Sequence, residues 1–202
     1  ATLAQQGETV LLGMWVFIAT ETLFFGGLIF TYFIYRQAYP REFAAAGKDA
    51  VLWCGTVNIV LLLTSSLTMV SSINAAAAGR RRDLARWLAA TALLGIAFLG
   101  VKGYEYLSDY QDQVVPAINF IVKPGEAPAS ELFWVFYFVG TGLHAVHLSI
   151  GIALVLYMLW RVRRGELTPA YYAPLEVLGL YWSFVDVVWI FLYPAIYLMG
   201  RS

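Results

Sequence analysis

Five long apolar runs organise the chain, at about Val10 to Tyr35, Val51 to Ile73, Leu84 to Leu107, Leu132 to Trp160 and Tyr171 to Met199. Each reaches the roughly 20 residues that a helix needs to cross a bilayer core. The intervals between them hold the charges and turn formers: YPREFAAAGKD, AAAAGRRRD, SDYQDQVVPAINFIVKPGEAPASE and RVRRGELTP. Trp53, Trp87, Trp134 and Trp160 fall at run ends, where interfacial aromatic belts are expected. No repeat or low-complexity tract interrupts this order. The pattern predicts an all-α protein: one polytopic membrane helix bundle of five transmembrane helices, forming a single domain over residues 1–202.

Composition agrees. The 202 residues are 60% hydrophobic and 13% charged, whereas a soluble domain carries roughly 25% charged residues. A formal net charge of zero offers nothing to nucleic acid. The single cysteine, Cys54, cannot form an internal disulfide and reads as a small packing residue near a helix start. The first residues, ATLAQQGETV, lack the basic start of a cleavable signal.

Loop charges set an expected orientation. One side carries Arg80, Arg81, Arg82, Arg86, Arg161, Arg163 and Arg164. The other carries Arg36, Arg41, Lys48, Lys123 and Arg201, with Lys102 near a helix end. The first group is concentrated in two short loops, so the N-terminus is expected inside and the C-terminus outside. The long interval from Ser108 to Glu131 is then external, a solvated loop in which Asp109, Asp112 and Glu126 are weak acidic docking points.

Ionisable groups at membrane depth are functional candidates because they are costly there. Glu21 lies about 11 residues, or roughly 16 Å, into the first run. Asp186 is similarly deep in the last, and the only two histidines, His144 and His147, are mid-depth in the fourth. These four groups are expected near one level. Lys102 and Glu105, at i and i+3, form an expected ion pair. Gly140, His144, His147 and Gly151 make one narrow helical stripe that suits close helix contact. In the second run, Thr56, Asn58 and the hydroxyls of TSSLTMVSS can satisfy carbonyls or neighbouring helices.

The chemistry of these residues narrows the choice without closing it. Two histidines three apart on one helix point the same way and cannot sandwich one haem. With Glu21 or Asp186 they could ligate a transition metal, but no HExxH or GxSxG segment is present, and a bundle di-metal site wants more acids. A proton relay and a packing network both remain. A standalone proton-coupled transporter is the rival from another class, and the lack of an inverted repeat or broken-helix pair argues against it.

Four motifs, in register, resemble subunit III of the haem–copper oxidases. MWVFIATETLFFGGLIFTYFIYR is similar to its helix with an intramembrane glutamate before Phe-Phe-Gly-Gly, placing Glu21. VKGYEYL resembles its Lys-x-x-Glu-Tyr segment, matching Lys102, Glu105 and Tyr106. FVGTGLHAVHLSIG resembles Thr-Gly-x-His-x-x-His, matching Thr141, Gly142, His144 and His147. YWSFVDVVWIFLYPAIYLMG resembles its last helix, with Trp182, Asp186 and Trp189 in place and Ser183 where the family commonly has histidine.

The resemblance implies the short five-helix bacterial form, with its N-terminus inside. It implies a non-catalytic subunit of a proton-pumping terminal oxidase that reduces oxygen to water in aerobic electron transport. Haems and copper are then expected in the partner subunits, the catalytic subunit I and subunit II, with no cofactor in this chain. Bound phospholipid and other membrane lipids, a larger respiratory supercomplex and a bacterial plasma (inner) membrane complete the expectation. Complex stability, a lipid cleft and proton uptake are the roles implied. Glu21, His144, His147, Asp186, Lys102, Glu105 and Ser183 become polar and lipid-cleft candidates, with no catalytic or metal-binding residue. The ending VDVVWIFLYPAIYL is nearer to cytochrome c oxidases. A quinol oxidase subunit III and an accessory subunit of nitric oxide reductase are the alternatives.

Overall fold

Where lipid replaces water, each backbone N–H and C=O has to be satisfied within its own segment, and long apolar runs therefore coil into helices. The computed structural model describes residues 3–122, 127–166 and 172–199, with side chains from position 9 onward. Helix α1 spans Leu3–Ala38, α2 Pro40–Asp49, α3 Leu52–Ala77, α4 Arg81–Gln111, α5 Ser130–Arg164 and α6 Ala173–Tyr193. A π-helical turn at Pro194–Leu198 continues α6. No strand occurs among the described residues. Five of the helices are long and apolar enough to cross a membrane, as the runs predict. Lys123, Glu126 and Arg201 lie outside the described residues.

Helix α2 is an addition to the expected elements. Pro40 opens it at a position where a missing N–H costs nothing. Phe43, Ala46 and Gly47, at i, i+3 and i+4, form a narrow stripe buried on the bundle, chiefly against α5. The long helices also overrun the apolar runs by a turn or so at most ends. At the end of α5, Gly165 takes φ +78°, and its N–H and that of Glu166 return to the Val162 and Arg161 carbonyls. Arg81, opening α4, donates from Nε to the Val162 carbonyl at 2.8 Å and from Nη2 to that of Arg163 at 2.6 Å. It thereby adds a second donor to the Val162 carbonyl and supplies one to that of Arg163.

Helices α3, α4, α5 and α6 close into a ring, each packed on two others of the set. Helix α1 stands outside this ring, over the groove between α5 and α6. Only 6% of its most apolar stretch is buried, against 61% for the last span. The ring holds most of the buried residues, and α1 packs on its outside. Trp53, Trp87 and Trp160 are exposed at helix ends as an interfacial belt requires, but Trp134 is buried. It packs edge-on against Phe133 and Tyr137, and Phe133 in turn packs edge-on against Phe43 of α2.

Candidate functional site

The densest polar site is a charge cluster inside the ring. Lys102 and Glu105 of α4 form the expected ion pair at 3.0 Å, with side chains 3% and 0% exposed. The Lys102 ammonium has three protons, and all are used. Nζ donates to Glu105 Oε2, to the Tyr137 hydroxyl at 3.0 Å and to the Tyr197 hydroxyl at 2.9 Å. Tyr197 in turn donates to Glu105 Oε1 at 2.7 Å, and Tyr137 donates to Asp109 Oδ2 at 2.7 Å. Nζ also lies 4.3 Å from the Tyr137 ring centroid, a cation–π contact. Buried charges survive when every lone pair and proton finds a partner, and this cluster meets that condition around Lys102.

Asp109 corrects the expectation that it belongs to the external loop. It lies in the last turns of α4 and is 3% exposed. A signal was present: Lys102, Glu105 and Asp109 stand at i, i+3 and i+7, one stripe of a single helix. Asp112, which caps α4, is exposed, and Glu126 lies outside the described residues. Next to the cluster, Tyr106 bonds Thr141 at 2.6 Å, and Thr141 itself donates to the Tyr137 carbonyl. Two residues of separate sequence motifs thus join α4 to α5.

The four groups expected at mid-depth do not form one cluster. They divide into three arrangements because the His144–His147 stripe is wide enough to face two neighbours. His147 turns to α1, with Nε2 3.2 Å from Glu21 Oε2 and its ring edge-on to Phe25. Its Nδ1 is 2.9 Å from the Leu143 carbonyl. His144 turns into the ring and is 1% exposed, with Nε2 3.2 Å from the Val185 carbonyl and its imidazole between Phe98 and Trp189. Asp186 turns to α3, where Ser66 donates to Oδ2.

Small residues set these approaches. A Cβ on Gly140 would meet Leu192 at 3.3 Å, and one on Gly151 would meet Trp182 at 3.2 Å, so the glycine stripe faces α6. The α3 hydroxyls behave as expected. Thr64 and Ser71 return to carbonyls one turn back, Thr68 meets Thr91 of α4 at 2.7 Å, and Ser65 accepts from Trp182 Nε1 at 3.0 Å. Ser183 differs from the other candidates. It is exposed and lines an outer groove with Leu11, Met69 and Gly179, outside the polar networks.

A cleft of about 330 Å³ separates α1 from α6, lined by Thr22, Phe25, Gly26, Ile29, Phe184, Val187, Val188 and Phe191. No lining residue is charged. Among the described residues no group of three or more His, Cys, Asp or Glu is placed to hold an ion, and the two imidazoles face different helices.

A family model described as cytochrome c oxidase subunit III matches residues 2–201. Cytochrome c oxidase subunit 3 of Thermostichus vulcanus is 31% identical over 191 residues, covering 94% of this chain and 87% of the relative. Quinol oxidase subunit 3 of Bacillus subtilis is 30% identical over 199 residues, covering 98% and 90%. Cytochrome bo(3) ubiquinol oxidase subunit 3 of Pseudomonas putida is 26% identical, covering 96% and 87%. With five membrane-spanning helices and a family match along nearly its whole length, the chain belongs to the cytochrome c oxidase subunit III family, the third subunit of the haem–copper terminal oxidases.

Proposed function

We propose that the chain serves a proton-pumping cytochrome c oxidase of a bacterial plasma membrane, beside the catalytic subunit I and subunit II. In this reading the haems and copper belong to those partners, and the N-terminus is inside. The chain's part is to prolong the working life of the complex, to hold phospholipid in the apolar cleft between α1 and α6, and to support proton uptake. The supporting observation is the commitment of the Lys102 cluster and of His147 to partners within the chain. Lys102, Glu105, Tyr137 and Tyr197 bond mutually, and His147 is engaged by Glu21. Such groups fasten helices and do not reach out to a substrate.

The test is to purify the respiratory complex with and without this chain. Both preparations are expected to oxidise reduced cytochrome c at similar initial rates, and the one lacking the chain is expected to lose activity sooner during turnover. Equal lifetimes would remove the protective role. Oxidation of quinol with no activity toward cytochrome c would transfer the chain to the quinol oxidases.

A further inference from the structure

The middle of the four-helix ring holds polar atoms that no protein group satisfies. His144 Nδ1, Trp189 Nε1 and both amide atoms of Asn58 are buried without a hydrogen-bond partner. Buried polar atoms of this kind carry a desolvation cost, so groups of them are commonly bridged by internal water. Their chemistry is complementary. A carbonyl only accepts, so His144 Nε2, facing the Val185 carbonyl at 3.2 Å, carries the proton, and Nδ1 is left as an acceptor. Trp189 Nε1–H can only donate. The Asn58 amide can do either.

Helix register places Asn58 at the level of the other two. The imidazole of His144 and the indole of Trp189 are adjacent, with ring centroids 4.9 Å apart. Asn58 is placed by the Ser65–Trp182 bond between α3 and α6. Seven residues back along α3 from Ser65 is Asn58, and seven forward along antiparallel α6 from Trp182 is Trp189. Seven residues are close to two full turns on both helices, so the pair recurs on the same faces at the next level. The Thr68–Thr91 bond between α3 and α4 gives the same height from a second side. Ten residues back from Thr68 is Asn58, and ten forward from Thr91 is Val101, beside Lys102. The Lys102 ammonium is 5.7 Å from the Trp189 ring centroid.

We propose that Asn58, His144 and Trp189 hold one water molecule in the core of the ring. The water accepts from Trp189 Nε1–H, donates to His144 Nδ1 and turns its second hydrogen to Asn58 Oδ1. Three bonds are the usual complement of a buried water. The site lies next to the Lys102 cluster and extends its hydrogen bonding toward mid-membrane.

A density map of the intact oxidase complex, at a resolution that shows ordered water, tests the proposal without altering the protein. The expected result is a peak within hydrogen-bonding distance of both Trp189 Nε1 and His144 Nδ1. A direct bond between Asn58 and Trp189, with no peak, would overturn it. Asn58→Leu provides a second reading in the assembled complex. If water compensates the amide, the leucine leaves that buried water one hydrogen bond short and lowers the temperature at which the subunit dissociates. If the amide is uncompensated, the leucine raises that temperature, and the proposal fails.

Discussion

The Tyr197 hydroxyl donates to the Glu105 carboxylate at 2.7 Å while accepting from Lys102 at 2.9 Å. This links the C-terminal third of α4 to a turn that the backbone reaches only by leaving α-helical geometry. Pro194 has no N–H to continue the ladder of α6, and the π-helical turn at Pro194–Leu198 carries the Tyr197 ring against the interior. The last span is thereby fastened at its far end by a charge pair and not only by apolar packing.

Tyr197→Phe keeps the ring and removes the hydroxyl, leaving one Lys102 proton and one Glu105 oxygen without their partner. Loss of hydrogen bonding to charged groups costs about 1.5–3 kcal/mol. The variant subunit is expected to dissociate from the purified complex at lower temperature, with the initial rate of oxygen reduction near that of the wild type. Differential scanning of the complex, with oxygen uptake measured beforehand, checks both halves.

Lys102→Met is expected to be worse, because Glu105 and Asp109 then lie buried with no cation. Breaking one member of a buried pair costs about 3–5 kcal/mol. Adding Glu105→Gln to Lys102→Met should recover part of the loss, since the orphaned carboxylate is then gone. The comparison is a double-mutant cycle on subunit retention during detergent washing. Simple additivity of the two single effects would show that the pair is not coupled.

Gly55 is expected to act on the same cluster from a distance. A Cβ there would come within 2.9–3.0 Å of the Tyr197 ring, so Gly55→Ala has to displace the ring or the helix. Overpacking costs about 1–3 kcal/mol. If the cost arises through Tyr197, the alanine should be nearly harmless in a Tyr197→Ala background. Thermal dissociation of the two single variants and the double variant decides this.

The spans were legible because apolar length alone dictates a membrane helix, and the Lys102–Glu105 pair because i,i+3 residues of one helix face each other. Tyr137 and Tyr197 were not legible as its partners. They come from α5 and from a turn following Pro194, and only packing brings them to Lys102. Helix α2 was hidden by its short length and charged composition, and its three buried residues have meaning only against α5. The histidines show the same limit in another form. Periodicity put His144 and His147 on one stripe, but a stripe can border two helices, and it was packing that sent His147 to Glu21 and His144 to the Val185 carbonyl.

The contact between Glu21 and His147 leads to an asymmetric prediction. His147 Nδ1 faces the Leu143 carbonyl at 2.9 Å and so carries a proton, leaving Nε2 as the atom that meets Glu21 Oε2 at 3.2 Å. A hydrogen bond there needs one further proton, on the carboxyl or on the ring. In Glu21→Gln the amide N–H can occupy that place and donate to Nε2, so the link between α1 and α5 should persist. In His147→Leu no partner remains for the partly buried carboxyl, and α1, with so little of its surface embedded, loses a polar tether. Limited proteolysis or hydrogen exchange of α1 in the assembled complex should therefore increase clearly in His147→Leu and little in Glu21→Gln. Little loosening in either variant would mean that α1 is held by the Phe25–Phe184 contact and not by the shared proton.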